Sequence, residues 1–108
     1  MIFRSPNLHL KVGYRFSNRW YNKLGLLHRN HDRPAIVESA GKYWYRHGEH
    51  HRENDSPATI NIVGYFWFKN GGLYRENDKP VKVLYNGKKF WRRGNRFIGE
   101  KEYRLMKK

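Results

Sequence analysis

The chain of 108 residues contains no cysteine, which excludes a disulfide framework and any thiolate metal site and makes a reducing cytoplasm the expected compartment. No apolar run approaches the ~20 residues of a membrane-spanning helix. The opening MIFRSPNLHLK lacks the h-region of a secretory signal, so a soluble protein with no membrane partner is expected. Also missing are a Gly-Lys-Ser/Thr phosphate loop, a Gly-x-Ser-x-Gly elbow and a nucleophile with an adjacent base. No enzymatic activity, catalytic residue or cofactor is therefore expected. Acidic residues are scarce: nine Asp and Glu face 23 Lys and Arg, for a formal charge of +14. A basic surface of that density attracts polyanions and repels itself.

The excess charge is unevenly placed. Residues 1–31 hold six Lys or Arg and no acid, residues 32–78 hold six against seven acids, and residues 79–108 hold eleven against two. Two basic blocks thus flank a balanced centre. Four Trp, eight Tyr and six Phe are many rings for so polar a chain. A domain this small removes only ~60–65 % of its surface from water, so aromatic rings must supply much of the buried area.

Proline is rare, yet three of the four fall at Pro34, Pro57 and Pro80, a step of 23. The same step separates Arg29, Arg52 and Arg75, then Asp32, Asp55 and Asp78, then Gly41, Gly64 and Gly87; Gly25, Gly48, Gly71 and Gly94 extend it to four markers. Five columns in register define a tandem repeat. Each unit reads as a turn cluster ending in proline, a β-branched run, a glycine, an aromatic run and a second glycine. In the first unit these are HDRPA, IVES, Gly41, KYWYR and Gly48. Two short strands joined by a tight turn are the signature of a β-hairpin, so one repeat is predicted to be one hairpin.

Period-two alternation assigns the faces. In the first strands Ala35 and Val37, Ala58 with Ile60 and Ile62, and Val81 with Val83 and Tyr85 share an apolar side. In the second strands Tyr43, Tyr45, Phe66, Phe68, Lys89 and Trp91 share one face. Lys42, Trp44, Arg46, Tyr65, Trp67, Lys69, Lys88, Phe90 and Arg92 share the other. The stretch LHLKVGYRF alternates as one or two capping strands, and GEKEYRLMKK contains good helix formers for a short terminal helix. The predicted fold is all-β: a single-layer antiparallel meander of tandem 23-residue hairpins in one domain. Its parts are N-terminal capping strands over 1–26, three repeats over 27–96 and a basic C-terminal cap over 97–108.

The hairpin unit with glycines and aromatics in register resembles MORN-type repeats. More narrowly, HRENDSPA followed by GYFWFKNG is similar to a tandem repeat of uncharacterised proteins from bacteriophages and large DNA viruses, over residues 20–96. The resemblance implies a meandering sheet, a viral accessory protein working in the cytoplasm of an infected host cell, and lipid or protein binding as known uses of the MORN fold.

Three constellations are candidates for chemistry. The octets HRENDSPA and YRENDKPV offer Glu53, Asp55, Glu76 and Asp78 as paired carboxylates beside Arg52 and Arg75. The first unit, however, has Asn30 in the glutamate column, and a catalytic pair should not be optional. A joint is the better reading: Asp accepting local backbone N–H groups, Pro fixing φ, and the periodic Arg pairing with a neighbouring carboxylate or carbonyl. His47, His50 and His51 near Glu49 and Glu53 suggest a metal site. Their columns also hold Tyr74, Leu27 and Leu73, so packing roles are expected and no metal is.

The third constellation is cations interleaved with rings, which suits nucleic acid because Lys and Arg neutralise phosphates while rings stack on bases. The candidate binding residues are Lys82, Lys88, Lys89, Trp91, Arg92, Arg93 and Arg96, with Arg46, Lys69, Arg15 and Arg19 assisting. The pattern leaves open whether Trp44 and Trp67 form a core stripe or an exposed ladder. The expected function is non-enzymatic binding of nucleic acid, RNA or a ribonucleoprotein surface first. The alternative is a protein-binding module or virion component directed at an acidic host surface, with oligomerisation through edge strands available to it.

Overall fold

The computed structural model describes residues 13–108. In chain order it has strands β1 (Gly13–Phe16), β2 (Arg19–Asn22), β3 (Ile36–Glu38), β4 (Gly41–Tyr43), β5 (Tyr45–Arg46), β6 (Glu49–His50) and β7 (Thr59–Asn61). These are followed by β8 (Gly64–Phe66), β9 (Phe68–Lys69), β10 (Gly72–Leu73), β11 (Lys82–Leu84), β12 (Lys89–Arg93), β13 (Arg96–Gly99) and helix α1 (Glu100–Met106). Nine strands pair in one open antiparallel sheet ordered β1-β2-β3-β4-β7-β8-β11-β12-β13. The fold is the all-β meander expected, with extents of 59 × 24 × 24 Å. Of the capping strand or strands predicted over LHLKVGYRF, β1 is the described part, and residues 8–12 lie outside the described residues.

Each of the first two complete repeats contains two hairpins where the sequence predicts one. The second strand changes partners at its tryptophan. Before Trp44, β4 pairs with β3 and β7; at Trp44 the N–H donates to the Ala58 carbonyl and the carbonyl accepts from His51, and β5 then pairs only with β6. Trp67 does the same between β8 and β9: its N–H donates to Val81 and its carbonyl accepts from Tyr74. The small hairpins β5–β6 and β9–β10 therefore stand apart from the main sheet. Their turns, His47-Gly48 and Asn70-Gly71, have positive φ at both positions, the geometry a two-residue hairpin needs.

The core is a stripe of Ala35, Ala58 and Val81 with Trp44, Trp67, Trp91 and Ile98, all buried. Trp44 and Trp67 are thus core residues. Gly41 and Gly64 sit where successive main-sheet hairpins cross, opposite Asn61 and Leu84. A Cβ on Gly64 would lie 2.3 Å from the Val83 carbonyl oxygen and 2.7 Å from Leu84 Cα, so no side chain fits there.

The third unit carries one extra residue. Ile36 pairs with Tyr43 and Thr59 with Phe66, but Lys82 pairs with Phe90, which places Trp91 in the tryptophan column. The hydrogen bonds agree: Trp44, Trp67 and Trp91 each donate Nε1–H at 3.0 Å to the carbonyl of Asp32, Asp55 and Asp78 respectively. The face assignment of the third unit is corrected accordingly. Lys89, Trp91 and Arg93 lie on the face of Trp44, and Lys88, Phe90 and Arg92 on the opposite one, because Tyr85-Asn86-Gly87 makes a three-residue loop closed by Leu84 and Lys88.

Candidate functional site

The octets are joints between repeats. Arg52 lays its guanidinium carbon 3.8 Å from the Trp44 ring, donates to both Asp32 carboxylate oxygens and donates Nη1–H to the Pro57 carbonyl. Arg75 repeats every contact, with Trp67 at 3.7 Å, Asp55 at 2.8 and 3.3 Å, and Pro80 at 3.1 Å. The Asp carboxylate thus accepts from the arginine of the next repeat, while the paired positive φ values at Asn54-Asp55 and Asn77-Asp78 aim the Asp carbonyl at the tryptophan indole. Arg75, and after it Lys79, hold the Asp55 carboxyl at a pKa of about 2. At the C-terminal end, where no fourth arginine follows, Tyr103 of α1 stacks on Trp91 at 4.0 Å and donates to Asp78. Lys107 and Arg93 complete the Asp78 cluster, and Lys107 first among them lowers its pKa.

The candidate histidines His47, His50 and His51 each have partners. His51 is buried; its Nδ1 accepts the Asn70 N–H, so Nε2–H donates to Glu53 at 2.6 Å and lowers the glutamate pKa. His28 repeats this, accepting from His47 N–H and donating to Asn30. His50 stacks between Tyr45 and Phe68, and burial lowers its pKa. Among the described residues no group of three or more His, Asp or Glu is placed to hold a metal ion.

The stacking of small hairpins stops at the third unit. Gly48 N–H donates to the Leu27 carbonyl and Gly71 N–H to the His50 carbonyl, tying each small hairpin to the preceding segment. The next carbonyl in that series, Leu73, accepts instead from the Arg92 guanidinium at 2.9 Å. Here β12 runs straight into β13 through the Gly94-Asn95 turn. Tyr74, in the column of His28 and His51, has no ring nitrogen with which to accept the next turn's N–H. A cleft of about 580 Å³ opens at this place, lined by Lys69, Tyr74, Arg75, Lys79, Arg92 and Arg93, with Asp78 as its one acid.

Of the candidate residues, the cleft gathers Lys69, Arg92 and Arg93. Arg92 bonds only to the Leu73 and Gly94 carbonyls and meets no carboxylate among the described residues. Tyr74 is half exposed. Lys88 and Lys89 lie in a separate shallow cleft with Lys101. Lys82 rests on the Phe97 ring, Arg96 pairs with Glu102, Arg46 with Glu53 and Arg19 with Glu38, while Arg15 lies over Trp20. Trp91 leaves the binding set: it is 6 % exposed and Tyr103 covers its face, so no base can stack on it. Tyr74, Arg75 and Lys79 are cleft residues outside the nucleic-acid set that the sequence suggests, where Arg75 stands out only as a joint residue. The joint column and the break in the His28/His51/Tyr74 column are the signals that point to them.

The fold and cleft define a β-hairpin repeat array that ends in a basic groove. No protein-family model, curated protein or solved structure matches the chain. No helix among the described residues is long and apolar enough to cross a membrane.

Proposed function

We propose that the protein binds single-stranded nucleic acid, RNA first, without catalysing a reaction on it, and that the cleft between β9–β10 and β12–β13 is the principal contact. The observation that supports this most is the composition of that cleft: five cations, one lining carboxylate and the exposed Tyr74 ring. Asp55 is shared between Arg75 and Lys79, and Asp78 between Arg93 and Lys107, so the local acids leave positive charge over. Arg92 supplies a phosphate contact that needs no salt bridge to be broken first. Tyr74 supplies a face on which a base can stack. A MORN-like architecture and a viral setting rest on the repeat resemblance and are part of the same proposal.

Binding of a labelled single strand of roughly 12 nucleotides, a length within known site sizes, tests it. Tyr74→Ala is expected to weaken binding about 5- to 150-fold, the loss of one base stack at ~1–3 kcal/mol. Arg92→Gln and Lys79→Gln should each reduce the salt slope by about one. Binding that ignores all three substitutions would refute the assignment.

A second reading has its own observation. Ile62, Val63, Tyr65 and Tyr85 form an exposed apolar rim at the opposite loop ends of the main sheet, beside a shallow cleft that includes Ile60 and Ile62. An exposed apolar patch with a polar surround suits a protein partner, as the host-directed module would require.

A further inference from the structure

The joints provide an internal reference for what the first repeat lacks. The Asp55 carboxylate is received by Arg75 Nε and Nη2 at 2.8 and 3.3 Å and by Lys79 Nζ at 3.0 Å. Two periods earlier the same columns hold Arg29 and Arg33. Arg29 is set like Arg75: its guanidinium carbon lies 3.6 Å from the Trp20 ring and its Nη1–H donates to the Pro34 carbonyl at 3.2 Å. The acid is missing. The residue one period before Asp32 is His9, and residues 1–31 contain no Asp or Glu. Among the described residues no carboxylate pairs with Arg29 or Arg33, and Arg15 brings a third guanidinium to within 4.8 Å of the same ring. Burial, then Arg33 and Arg15, lower the Arg29 pKa, consistent with crowded cations awaiting a counter-charge.

We infer that Arg29 and Arg33, with Arg15 beside them, form an oxyanion receptor that binds a phosphate group carried by a polynucleotide. The guanidinium of Arg29 is already held by Trp20 and Pro34, and a guanidinium fork matches two oxygens of one group. A carboxylate from a second copy of the chain is a poor alternative to phosphate here. Its C-terminal block is itself basic, and the acids there are engaged: Asp78 by Arg93 and Lys107, Glu100 by Arg104, Glu102 by Arg96. The source of the phosphate rests on the nucleic-acid reading; the receptor rests on the geometry of the joints.

Arginine side-chain N–H spectra test this, with the wild type and Arg33→Gln titrated separately by inorganic phosphate, a 5′-phosphorylated oligonucleotide and a polyglutamate peptide. Arg33 is exposed and Arg29 keeps its ring and carbonyl contacts in that variant, so folding is preserved. The Arg29 Nε–H signal should shift with phosphate and with the oligonucleotide, Arg52, whose fork Asp32 already occupies, should stay still, and Arg33→Gln should weaken the response about three- to tenfold. An oligonucleotide that binds without moving Arg29 overturns the inference and leaves the cleft proposal standing. Arg29 that responds to polyglutamate but not to phosphate overturns it as well. A response to inorganic phosphate with no oligonucleotide binding supports the receptor and removes the nucleic-acid reading.

Discussion

Replacing Arg75 by alanine removes one joint at three points, and the structure allows the loss to be worked out. The bidentate pair with Asp55 is partly exposed, the arginine side chain at 15 % and the aspartate at 41 %, so solvent screening limits it to about 1 kcal/mol. The guanidinium over Trp67 adds about 1 kcal/mol, and the charged donor to the Pro80 carbonyl about 1 kcal/mol more. The expected loss is about 3 kcal/mol, a large fraction of the ~5–15 kcal/mol that holds a typical domain together. Arg75→Lys keeps the charge but not the planar fork and should lose roughly half as much. Arg29→Ala removes the ring and carbonyl contacts without a carboxylate and should cost about 1 kcal/mol less than Arg75→Ala. Urea unfolding followed by tryptophan fluorescence and far-UV circular dichroism measures all three. An Arg75→Ala variant within about 0.5 kcal/mol of the wild type, the range of ordinary surface changes, would refute the joint. Equal losses at Arg29 and Arg75 would refute its carboxylate part.

Other expectations follow from the same contacts. Gly64→Ala should destabilise by more than about 3 kcal/mol, because its Cβ meets backbone atoms that cannot rotate away; urea midpoints would show it. Tyr103→Ala uncovers Trp91 and should shift the tryptophan emission to the red with a loss of about 1–2 kcal/mol. Stability should fall with acid in two stages. His50 has a lowered pKa in the fold, so its contribution is complete above the unfolded value near 6.5 and is lost as pH falls toward the folded one. Asp55 behaves likewise from about 3.8 downward, its share disappearing as pH approaches about 2. Urea midpoints that rise as pH falls from 6.5 toward about 4 would contradict the His50 sign, and midpoints that rise as pH falls from 3.8 toward 2 the Asp55 sign.

The repeat was legible because its joints need particular chemistry. An arginine fork, an Asp closing a left-handed pair and a proline cannot be exchanged freely, so Arg52, Asp55 and Pro57 recur at a fixed step. The division of each unit into two hairpins was hidden, since a strand that changes partners at Trp44 keeps its alternation throughout. The extra residue in the third unit was hidden by two glycines that match the period by count alone. Gly87 ends a three-residue loop, whereas Gly41 and Gly64 lie within β4 and β8, and Gly94 takes the first turn position where Gly48 and Gly71 take the second. Counting by those glycines puts Trp91 outside the tryptophan column and Lys88 on the wrong face. The cleft itself is a failure of repetition, which is why Lys69, Arg92 and Arg93 could be named from charge while Tyr74 could not.

The most direct test is to map the amide and side-chain signals that move when a single-stranded RNA is added. The cleft proposal predicts shifts at Asn70, Gly72, Tyr74, Gly94 and the Arg92 side chain, diminishing steeply as salt rises. Shifts confined to Ile62, Val63 and Tyr85, or none from RNA at any salt, would contradict it and turn attention to a protein partner on the apolar rim.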